Sequence, residues 1–132
     1  MNNSDRSQLY KEEIKFIFSR KGSDVRRATV ISAFIEWQIF SLASHFLEKR
    51  KVAHKPEPNQ EYNQSFNVLK VNKILALIEL EKIQKFRRER NKSIHSIFKG
   101  MTRIEWERQN KLVIELGRPI VKALDKKLYS LT

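Results

Sequence analysis

The segment Lys82-Ile-Gln-Lys-Phe-Arg-Arg-Glu-Arg-Asn-Lys-Ser-Ile-His95 concentrates the residue types that hold phosphate and move protons. Six basic groups and one acid lie between Lys82 and Lys92. Arg90 carries a permanent charge on a planar fork that grips phosphate through two parallel hydrogen bonds. Histidine is the residue type suited to accept or donate a proton near neutrality, and His95 supplies one. Asn91 offers an amide that can orient the imidazole or a ligand. Lys85, Arg87, Arg88 and Lys92 read as cations that steer a polyanion; the plain alternative is a solvated helix face.

Helix geometry constrains this set. At about 100° per residue, Asn91 and His95 lie about 40° apart on one face, while Arg90 is about 140° round from His95. A single rigid helix does not aim both groups at one phosphate. Either the helix loosens near Ile94, the long arginine wraps round, or a second copy of the chain completes the site. Glu36 stands alone among apolar neighbours, which is costly for a carboxylate unless it is paired. It either orients Arg90 or His95 from a neighbouring helix, pairs with another cation, or points to solvent. Arg50 and His54 imitate the pair at shorter spacing, but His54 enters a proline loop. His45, Trp37, Phe40 and Phe46 read as packed bundle residues.

The elements that must position these groups are helical. A first helix fits Gln8 to Ser19 behind a polar, frayed start from Met1 to Ser7. Gly22 suits its C-terminal cap, and Ser23 or Asp24 suits the next N-cap. A long second helix runs from about Val25 to Val52. Its stretch from Val30 to Leu47 has one charged residue, Glu36, and is read as a core helix packed on both sides rather than a membrane span. Residues 54–65, with two prolines, form a surface loop. Phe66 to Phe98 is helical again, as one helix or as two with a bend near Leu77–Glu81. Thr102 and Glu105 have capping-box spacing, opening a last helix from Arg103 to Tyr129. Gly117 and Pro119 predict a kink or short break inside it. The expected fold is an all-α antiparallel bundle of four to five helices, spanning residues 1–132 as one domain.

Composition supports this reading. The chain has 132 residues, 3 Gly and 3 Pro, too few for the turns of an all-β fold. It has no cysteine, which excludes a disulfide scaffold, a thiolate metal site and a cysteine nucleophile. With 27 Lys/Arg against 15 Asp/Glu, the formal charge is +12, which attracts polyanions, nucleic acid first. Residues 1–66 carry 11 basic and 8 acidic groups, and residues 67–132 carry 16 and 7, so the anion-binding surface belongs to the second half. No secretory signal pattern opens the sequence, and a cytoplasmic location is expected.

Arg90-Asn91-Lys92-Ser93-Ile94-His95 resembles the signature of the HEPN superfamily, an Arg followed after four to six residues by a His. A polar residue directly after the Arg, here Asn91, is typical, and Ile83 and Phe86 precede the motif as helix-packing residues. HEPN domains are small helical bundles of about this size. The resemblance implies a metal-independent endoribonuclease that uses the 2′-hydroxyl of RNA as nucleophile and needs no cofactor. It also implies that the Arg and His meet across a homodimer, in a prokaryotic toxin–antitoxin, abortive-infection or other defence setting, with an antitoxin or defence-complex partner. One departure is Ile97, where HEPN toxins silenced by a nucleotidyltransferase typically carry Tyr. Two other readings stand beside this one: a non-catalytic HEPN protein holding a structured RNA, and a helical assembly subunit with an acidic protein partner.

Overall fold

The computed structural model describes residues 3–49, 61–95 and 100–131. Five helices hold most of them: α1 (Asn3–Phe18), α2 (Asp24–Lys49), α3 (Glu61–Val71), α4 (Leu77–His95) and α5 (Arg103–Ser130). The protein is an all-α bundle, as its composition predicts. Arg50, His54 and Ile97 lie outside the described residues.

Helix α2 is the axis of the bundle. It packs against α1, α3 and α5, while α4 packs against α5. Ile31, Ile35, Ile39, Leu42 and Ala43 recur at three- and four-residue spacing and are all buried. Asp24–Glu48 is long and apolar enough to cross a membrane by length and composition, yet it supplies much of this core. Trp37 departs from expectation. It is half exposed rather than core, because it lies on the side of α2 where Tyr10 and Phe34 line an open groove.

The α1–α2 turn is built by local rules plus one buried cation. Gly22 has a left-handed φ of 83°, and a Cβ there would stand 2.9 Å from the Phe16 ring. The Ser23 hydroxyl accepts from the Arg26 amide at 3.3 Å, which caps α2. The last carbonyls of α1 have no partners within the helix. Arginines fill that role: Arg118 Nε donates to Ile17 O at 2.7 Å and its Nη2 to Ser19 O at 3.0 Å. Arg27, only 2% exposed, donates to Phe16 O, Lys21 O and Asp24 Oδ1. Positive charge at a helix C-terminus also complements its dipole.

Helix α1 starts at Asn3, within the segment expected to fray. Helix α3 starts at Glu61, so the second part of the expected 54–65 loop is helical. The region after Phe66 is two helices, divided at residues 72–76 and thus before the expected bend. Lys73 takes a left-handed φ of 55°. Its amide bonds to Lys70 O at 3.2 Å, and the Ile74 amide reaches back to Leu69 O at 3.0 Å. This pair of bonds is a Schellman C-cap with lysine where glycine is usual. Helix α4 then opens with the Glu79 carboxylate accepting from the Ala76 amide at 3.0 Å, half of a capping box.

At the start of α5, Thr102 Oγ1 accepts from the Glu105 amide at 3.2 Å, as the spacing predicts. Of the kink or short break expected at Gly117–Pro119, the break does not occur: α5 is continuous to Ser130. Pro119 is exposed, and so is Glu115, the residue whose carbonyl loses its helical partner. Gly117 serves packing instead. A Cβ there would lie 2.3 Å from Ile31 Cγ2 and 2.8 Å from Phe86 Cε2, so its absence lets α5 seat against α2 and α4.

Tyr10 ties α1 to α5 by donating its hydroxyl to Asp125 Oδ1. Burial first, and then the Asp125 hydrogen bond and charge, push the Tyr10 phenol well above its ordinary value of 10.0. A group whose proton is held more tightly in the folded state contributes stability that is lost as pH rises beyond the unfolded value. Stability should therefore decline above pH 10.0 in the native protein, and Tyr10→Phe should flatten that decline. At neutral pH the same substitution should cost about 2 kcal/mol, since it removes a hydrogen bond to a charged acceptor. Thermal melts of both proteins from neutral to strongly alkaline pH check the two expectations.

Candidate functional site

Helix α4 carries the candidate residues, and its neighbours divide them among separate surfaces. Leu80, Ile83, Phe86 and Ser93 form the buried stripe. The charged residues flank this stripe, as a helical period requires.

Arg87 turns toward α3. Its guanidinium lies 3.7 Å from the centre of the Tyr62 ring, and Nη1 donates to Asn63 Oδ1 at 3.2 Å. Burial raises the Tyr62 phenol, Arg87 opposes that shift, and the charge of Glu36 adds to it. Glu36 thus shares a neighbourhood with Tyr62 and Arg87. The α2 residues beside Arg90 are Val25, Ala28 and Thr29, about two turns before Glu36. The structure does not bring Glu36 to Arg90 or His95. Lys85 lies elsewhere again, with Lys82, Glu79 and Glu115 at the rim of a groove of about 350 Å³ between α4 and α5.

The opposite flank forms a groove at the C-terminal end of α4. Arg88, Asn91, Lys92 and His95 line it, with Gly100 and Met101 of the following turn and Glu105 of α5 across from them. The volume is about 380 Å³. Asn91 and His95 stand one turn apart on one face, as the spacing predicts. Lys92 Nζ pairs with Glu89 Oε1 at 3.0 Å. Hydrogen bonds from Gln109 first, and then from Lys92, hold the Glu89 carboxyl below the usual carboxylate range.

Arg90 opens onto a different recess, of about 210 Å³, between α4 and its neighbours α2 and α5. Ser93, Ile94, Trp106, Asn110 and Val113 share it. Two side chains of α5 bind carbonyls of α4 here: Trp106 Nε1 donates to Ser93 O at 3.1 Å, and Gln109 Nε2 to Glu89 O at 2.9 Å. The Ser93 hydroxyl donates to Asn110 Oδ1. These bonds set the rotation of α4 against α5, and that rotation decides which surface each of the diverging Arg90 and His95 meets. Within one chain the two do not face a common point.

Sequence reasoning misses Glu105, Trp106 and Asn110. Glu105 reads only as a capping residue, and no local signal marks the other two. Among the described residues, no three His, Asp or Glu gather as a metal-binding set. The chain is thus an all-α bundle in which a basic helix ends in a histidine-bearing groove. Comparison with protein-family models, curated proteins and solved structures finds no match.

Proposed function

We propose that this chain is a metal-independent endoribonuclease of a prokaryotic defence or toxin–antitoxin system, acting in the cytoplasm as a homodimer. The observation that carries the reading is the groove in which His95, Asn91, Arg88 and Lys92 stand together. An imidazole flanked by an amide, an arginine and a lysine has the parts needed for cleavage through the 2′-hydroxyl. His95 takes the 2′-hydroxyl proton, and the 2′-oxygen attacks the adjacent phosphorus. The bond from phosphorus to the 5′-oxygen breaks, and an imidazolium returns a proton to that oxygen. The products are a 2′,3′-cyclic phosphate and a 5′-hydroxyl. Arg88 and Lys92 draw the backbone in, and Asn91 holds the imidazole or the RNA. Arg90 of a second copy supplies the charge that stabilises the crowded phosphorane. Glu105, across the groove from His95, replaces Glu36 as the carboxylate suited to orient the imidazole.

The test uses end-labelled RNA and an all-DNA strand of the same sequence, each with and without EDTA. RNA should be cut to cyclic-phosphate ends in both conditions, and DNA should stay intact. Equal cutting of DNA, or a requirement for added metal, would overturn the reading. The separation of Arg90 from His95 within one chain favours a second reading, a non-catalytic RNA-binding protein. In that case RNA binds, with a logarithm of affinity that falls steeply with log salt, and no RNA is cut.

A further inference from the structure

The recess beside Arg90 contains a buried donor that no side chain satisfies. Asn110 is 4% exposed. Its Oδ1 is taken by the Ser93 hydroxyl, and its Nδ2 has no hydrogen-bond partner. An unmade hydrogen bond on a buried amide costs about 1–3 kcal/mol, which a ligand bearing an acceptor would recover. The Arg90 guanidinium at the recess only donates, and the Thr29 hydroxyl there is engaged with its own helix, donating to Val25 O at 3.0 Å. The Trp106 indole N–H is already bonded to Ser93 O, so its ring is held in place as a wall. Val25, Ile94 and Val113 make the remainder apolar.

A flat apolar body with an edge made only of acceptors fits these walls. Among the nucleobases, guanine presents two adjacent acceptors, O6 and N7, with no donor beside them on that edge. Adenine places its amino group where the recess already holds donors. We infer that this recess receives a guanine of the RNA, with Asn110 Nδ2 and Arg90 donating to its O6/N7 edge and Trp106 against its ring. The inference rests on the ribonuclease reading for the identity of its ligand and adds a base preference to it. Asn110, Trp106 and Val25 are then specificity residues, and Arg90, with five N–H donors, joins this recess to the phosphate it meets at the second copy's groove.

Guanosine monophosphate titrated into isotopically labelled protein tests this by nuclear magnetic resonance. The Trp106 indole N–H and Asn110 amide signals should shift. Adenosine monophosphate should bind about tenfold more weakly, the discrimination one good bidentate contact supplies. A short RNA containing one guanine should bind more tightly than the mononucleotide. Val25→Phe, at an exposed position on the rim, should block binding while leaving Asn110 in place. Asn110→Leu should abolish the preference for guanine. Equal response to all four mononucleotides, the same shifts with inorganic phosphate, or undiminished binding by Val25→Phe would overturn the inference. A mononucleotide that binds as tightly as the RNA would overturn the RNA as its source. Guanine binding without RNA cleavage removes the ribonuclease reading and leaves this site standing, whereas cleavage without any guanine response does the reverse.

Discussion

His95→Ala should lose about 10²–10⁴-fold of RNA cleavage, the usual contribution of a positioned acid or base. The fold should be indifferent to it. His95 is exposed at the last residue of α4, and surface substitutions of this kind usually shift stability by less than about 0.5 kcal/mol. Circular dichroism and RNA affinity should therefore match the parent protein while cleavage collapses. Full activity in the variant would remove His95 from the chemistry.

The same experiment extends to the partnership of two chains. Arg90 and His95 open onto different surfaces of one helix, so a shared phosphate requires the arginine of another copy. Arg90→Ala and His95→Ala should each be inactive alone. Mixed and refolded together, they form heterodimers in which one of the two sites has both groups. Random pairing should restore about a quarter of the parent activity, as a two-fold symmetric assembly requires. No recovery on mixing would show that the groups do not act across an interface.

Gly117→Val should be the most damaging single change to the core. Its first added carbon alone meets Ile31 Cγ2 at 2.3 Å and Phe86 Cε2 at 2.8 Å. Ile31 is fully buried and Phe86 nearly so, so neither side chain can move without displacing others. Overpacking of this kind typically costs about 1–3 kcal/mol, and a branched side chain at a helix crossing belongs at the top of that range. Gly117→Ala should cost less, because alanine regains about 1 kcal/mol of helix propensity over glycine. Ile31→Ala alone should cost about 2–5 kcal/mol through the cavity it leaves. Combined with Gly117→Ala, the loss should be smaller than the sum, since the added methyl enters the vacated space. Denaturant unfolding of the four proteins measures this coupling. Strict additivity would mean that the crossing is not as close as the structure shows it.

Features that depend on near neighbours in the chain are legible in the amino-acid sequence alone. The helices follow from apolar spacing and from the scarcity of Gly and Pro. The turn at Gly22–Ser23 and the cap at Thr102 follow from backbone groups that need a partner within three residues. The divergence of Arg90 from His95 is a consequence of 3.6 residues per turn. The division between α3 and α4 is less legible, because Lys73 occupies a left-handed position that glycine or asparagine would have advertised. Gly117 and Pro119 look like a weak point from their types, yet Gly117 is where α5 presses closest on Ile31 and Phe86.

Asn110 bonds to Ser93, Glu105 lines one groove with His95, and Glu36 joins Tyr62 and Arg87. Each pairing links residues on different helices, and none is implied by the identity of either partner alone. Helical period specifies the direction in which a side chain leaves its own axis. The group it meets depends on how neighbouring helices rotate and seat, which here is set by Gly117 and by the bonds from Ser93, Trp106 and Gln109 across the α4–α5 seam.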